Sequence, residues 1–119
     1  MNRNAEFLLL LVLVSYAGIS SANSCDNADQ IVLREVSKIL AIQEADLKIS
    51  QPFSKQAVVG DALDVVESIM AVEDVLNIKI DDQKLDARIG SSGVNDLAET
   101  LTIKVLQDVA IEACKGNNK

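Results

Sequence analysis

Histidine and tryptophan are absent from the 119 residues, and only three aromatic side chains occur, Phe7, Tyr16 and Phe53. Without imidazole there is no His-based metal site and no dyad in which His activates Ser or Cys, which removes much of hydrolase chemistry. Three rings, two of them near the start of the chain, cannot build a stacking platform for bases or sugars. Positive charge is scarce as well: 11 basic residues stand against 18 acidic ones, for a net charge of −7. That balance disfavours nucleic acid and anionic membrane surfaces and favours a basic partner. A chain of this length holds at most one small domain.

A long apolar run occurs once, at 7–14, after a start carrying Arg3, and small residues follow it at Ala17, Gly18, Ser20, Ser21 and Ala22. A charged start, a short apolar segment and a small-x-small site make a secretory leader. Ser20 and Ala22 favour cleavage after Ala22, with Ser24 the second option. The domain organisation expected is a signal peptide at 1–22 and one helical domain at 23–119. The run is too short for an ordinary membrane span of about 20 residues. Acylation of Cys25 is a further reading, but it needs a large aliphatic residue where Ala22 stands; an uncleaved buried helix is another. Removal of 1–22 takes one charge of each sign, Arg3 and Glu6, so the balance stays at −7. The expected location is secreted or periplasmic.

The two cysteines, Cys25 and Cys114, lie near opposite ends of the domain. In an oxidising compartment a disulfide is the leading expectation. Closing a loop of about 90 residues contributes roughly 4–5 kcal/mol by the chain-entropy estimate. The alternative, a reactive thiol, lacks a His to activate it.

Apolar spacing of three and four predicts helices throughout. The first runs from a cap at Asp26 or Asn27 to about Ile42, on Ile31, Val32, Val36, Ile39 and Leu40. Ser50, Gln51 and Pro52 mark a turn, with Phe53 pinning the loop that follows. Gly60 leads into a second helix, with Asp61 as N-cap and Asp64 at the third position, ending near Leu76. Its apolar face is broad, including Leu63, Val66 and Met70. A short third helix covers 83–89, a loop 90–93, and a last helix runs from about Asn95 to Ala113. The fold class expected is all-α, a three- to four-helix bundle, with the last helix antiparallel to the first and Cys25 beside Cys114.

Residues 60–82, GDALDVVESIMAVEDVLNIKIDD, resemble the second-helix signature of acyl carrier proteins: Asp-Ser-Leu-Asp, an acidic helix with a Met-Ala core, then Ile-x-Ile-Pro-Asp. Val32, Val36, Leu40, Ile42, Leu47 and Phe53 fall where that family has apolar residues. Ile89, Val94, Asp96 and Leu101 are similar to its approach to the last helix. The resemblance implies an acyl-carrier-like bundle with its termini together. It also exposes a departure, because the family's serine, which carries the phosphopantetheine arm, is here Ala62. Alanine has no oxygen to form the phosphodiester. Neither Ser54, in the loop, nor Ser68, nearly two turns along the helix, replaces it. No phosphopantetheine attachment and no other cofactor is therefore expected.

In the family this helix docks onto basic patches of partner enzymes. Carried over, the resemblance implies a docking face of Asp61, Leu63, Asp64, Glu67, Met70, Glu73 and Asp74 for a basic exported protein. An ordinary solvated helix face is the alternative. A second function is non-covalent binding of a free fatty acid or lysolipid in the aliphatic core, against which stands a core simply filled by its own side chains. A structural or regulatory remnant is the third. Asp81, Asp82 and Asp86 lack the glycine and closing glutamate of a calcium loop, so no metal is expected. No carboxylate pair is isolated on an apolar background, and no enzymatic activity is expected.

Overall fold

The computed structural model describes residues 25–90 and 96–117. The leader expected at 1–22 lies outside them, as do Asn95 and most of the 90–93 loop.

Helix α1, Ala28–Leu40, buries Ala28, Ile31, Val32, Val36 and Leu40 along one stripe. It stops at Ala41, whose backbone turns left-handed at φ 56. The amides of Ala41 and Ile42 both donate to the Ser37 carbonyl. The loop beyond contains two 3₁₀ turns, Glu44–Asp46 and Phe53–Lys55. Gln56 organises it from within: its Oε1 accepts from the Lys48 amide at 2.8 Å, and its Nε2 donates back to the Lys48 carbonyl at 2.8 Å. A buried amide satisfied in this way holds the loop shut without regular structure. Phe53 is fully buried beneath it.

Helix α2, Ala62–Leu76, begins with a reciprocal cap. Asp61 Oδ1 accepts from the Asp64 amide at 2.9 Å, and Asp64 Oδ2 accepts from the Asp61 amide at 3.0 Å. These bonds satisfy two of the helix's orphan amides and set negative charge at its positive end. Gly60 brings α2 close to the core, since a Cβ there would stand 3.0 Å from Leu40 Cδ2 and 3.2 Å from Phe53 Cβ. After Asn77, left-handed like Ala41, comes the short helix α3, Asp82–Ile89, capped by Asp81 through the Gln83 amide at 2.8 Å.

The single last helix expected from about Asn95 to Ala113 is instead two: the one-turn α4, Leu97–Thr100, and α5, Ile103–Asn117. Leu101 is extended between them. Thr102 pairs as an isolated bridge with Pro52, and the Lys104 amide donates to the Ile49 carbonyl at 2.9 Å. Thr102 Oγ1 then accepts from the Val105 amide at 3.1 Å, starting α5 afresh. The break lets the first loop dock against the start of α5, and it leaves Leu101 and Ile103 both fully buried.

α1 packs on both α2 and α5, and α3 packs on α5. The five helices close on one core centred on Val32, Val36, Phe53, Val65, Val72, Leu101, Ile103 and Leu106. The start of α1 lies beside the last turns of α5, as expected of an antiparallel pair. Gln107 Nε2 donates to the Asp29 carbonyl at 3.1 Å, and Cys25 is bonded to Cys114 with Cα atoms 5.6 Å apart. The described residues thus form an all-helical bundle with a disulfide, and no helix among them is long and apolar enough to cross a membrane.

Candidate functional site

The outer face of α2 carries the candidate site. Only Val65, Ser68, Val72 and Leu76 of this helix are buried. The buried stripe is narrower than the broad apolar face expected. Leu63 is 63% exposed and Met70 60% exposed, and burying neither is a departure from the usual fate of large apolar side chains. Glu67 and Asp74 are exposed as well. Leu63, Glu67, Met70 and Asp74 follow at spacings of four, three and four, which puts them in one row along the helix. The row alternates apolar and acidic, and no lysine or arginine occurs anywhere in α2.

The other three residues of the expected face do different work. Asp61 and Asp64 hold each other's backbone in the cap just described. Glu73 is turned inward from the row: its Oε2 accepts from the Ile80 amide at 2.8 Å and lies 4.0 Å from Lys79 Nζ. It therefore ties the end of α2 to the segment leading into α3. Among the described residues, by contrast, Glu67 and Asp74 are in no ion pair.

Ala62, where the resembling family has its serine, is partly buried at the first position of α2. Its methyl group can neither accept nor form a phosphodiester. Ser68 is fully buried and Ser54 is half-buried in the loop turn. Neither serine that the sequence offered is exposed at the start of α2 in place of the missing one.

Two features escaped sequence reasoning. Val58 and Val59, in the lead-in to α2, are 48% and 71% exposed and extend the apolar surface beyond Leu63. The only available signal was their place beside an acidic cap. The second is a cleft of about 1050 Å³ between α2, α3 and α5, floored by Val66, Ile69, Leu85, Val109 and Ala113, with Met70 at its edge. It opens at the side of the bundle, whereas the expectation for a lipid placed it in the core. The core itself is filled by the buried side chains named above.

Asp81 is engaged in capping α3, and no group of three or more His, Cys, Asp or Glu among the described residues is placed to hold a metal ion. No protein-family model and no solved structure matches the chain.

Proposed function

We propose that the protein is an exported, acyl-carrier-like interaction module without a prosthetic group, and that it recognises a basic partner through α2. The observation that carries this reading is the row Leu63, Glu67, Met70 and Asp74. Two large apolar side chains sit in water between unpaired carboxylates, on a helix without a cation. An interface built this way draws its affinity from the buried apolar anchors. The carboxylates speed association and reject acidic partners. The disulfide fits an extracellular or periplasmic setting, which agrees with the leader expected from the sequence.

The test is capture of partners from the extracellular or periplasmic fraction with the wild-type chain and two variants. Glu67→Lys/Asp74→Lys is expected to lower capture of a basic protein about ten-fold at low salt, with a smaller effect at high salt. Leu63→Ala/Met70→Ala is expected to weaken it by about 2 kcal/mol or more. Identical captured sets from wild type and charge-reversed protein would overturn the reading.

The cleft supports a second reading, non-covalent binding of an apolar ligand such as a free fatty acid or lysolipid. Its volume is close to the upper bound for small-molecule sites, and its floor is aliphatic.

A further inference from the structure

The cleft is lined by charged as well as aliphatic side chains. Its aliphatic floor comes from three helices, and one wall is α3, which packs on α5. The charged part of its lining holds five carboxylates, Glu73, Asp81, Asp82, Asp86 and Glu112, against two ammonium groups, Lys79 and Lys84. Glu112 is paired with Arg88 of α3, and Glu73 with Lys79 at 4.0 Å. Asp81, Asp82 and Asp86 remain against Lys84 alone. The positive end of α3 offsets part of the charge on Asp81 and Asp82. Asp86, further along the helix, has no such offset.

We infer that the cleft takes an alkyl chain bearing a cationic headgroup, such as a long-chain amine or quaternary ammonium, in preference to a fatty-acid anion. The tail is held by the aliphatic floor, where each buried methylene contributes alike whatever the headgroup. The headgroup is left at the mouth, half in water, where a cation gains from the surplus carboxylates and a carboxylate is repelled by them. One unit charge at such a distance is worth about ten-fold in affinity, in opposite senses for the two ligands. The inference rests on the second reading above and narrows it to one ligand class.

The test uses the disulfide-bonded protein and two amphiphiles with the same tail, dodecyltrimethylammonium and dodecanoate, each below its micelle concentration, by calorimetry and by amide chemical shifts. Dodecyltrimethylammonium is expected to bind at least about ten-fold more tightly, with shifts at Val66, Ile69 and Ala113. The variant Asp82→Asn/Asp86→Asn should remove that preference. Glu44→Gln/Asp46→Asn, with the same net charge and neither residue lining the cleft, should keep it. Equal affinities, or tighter dodecanoate, overturn the selectivity and leave apolar-ligand binding standing. A preference that both variants reduce equally, or shifts elsewhere, reduces it to the overall negative charge and overturns it too. Failure of both amphiphiles to bind overturns this inference together with the second reading.

Discussion

Ser68 faces the core of the bundle from the middle of α2, fully buried, and its Oγ has no hydrogen-bond partner among the described residues. A hydroxyl desolvated without a partner is a standing cost to the folded state. Removing it leaves a small gap but also improves helix propensity. Ser68→Ala is expected to raise stability by about 1 kcal/mol, seen as a higher urea midpoint at unchanged slope. A loss of similar size would mean that the hydroxyl is satisfied in solution. Single residues also decide where the site is open. Glu73 and Glu67 look alike in sequence, yet one is spent on the Ile80 amide and the other is free on the row. Nothing local distinguishes them, because the partner of Glu73 lies beyond the end of its own helix.

Among the elements, α2 was the most legible. Its start carries an acidic residue at the cap and another three positions on, the pattern that a reciprocal cap requires, and Leu76 ends its apolar spacing. The last helix was not legible. Leu97, Leu101, Val105 and Val109 keep helical spacing straight through the break, so periodicity alone predicts one helix. What interrupts it is pairing with residues 49–52, half the chain away in sequence. Thr102 marks the spot, but a threonine in mid-pattern reads as tolerated until its cap is seen. Thr102→Ala should cost about 1 kcal/mol of stability through loss of the cap on α5. The check is thermal or urea unfolding, with serine at the same position expected to restore most of the loss. The cleft was invisible for a related reason, being the space left where α3 leans on α5. Spacing alone would place Leu63 and Met70 on a buried face, and only the resemblance to carrier proteins set them on a docking face, without marking the row they form with Glu67 and Asp74.

For the whole molecule, the all-helical class and the pairing of Cys25 with Cys114 follow from apolar spacing and from two cysteines at opposite ends of a domain that the sequence expects to be exported. A core with one aromatic side chain in a domain this small is marginal by itself. The disulfide compensates by restricting the unfolded chain across 89 positions. Reduction is expected to lower stability by about 4–5 kcal/mol, measured as the difference in urea unfolding between oxidised and reduced protein. A difference below about 1 kcal/mol would place the stability of the bundle in its packing alone. The same bond also makes a covalent ring of residues 25 to 114. Tension applied through the segments that flank it crosses at one point, where the two Cα atoms are 5.6 Å apart, and bypasses everything inside the ring. The oxidised molecule then loads only the end of α5 beyond Cys114, and the rest of the bundle stays unloaded until a reductant opens the ring.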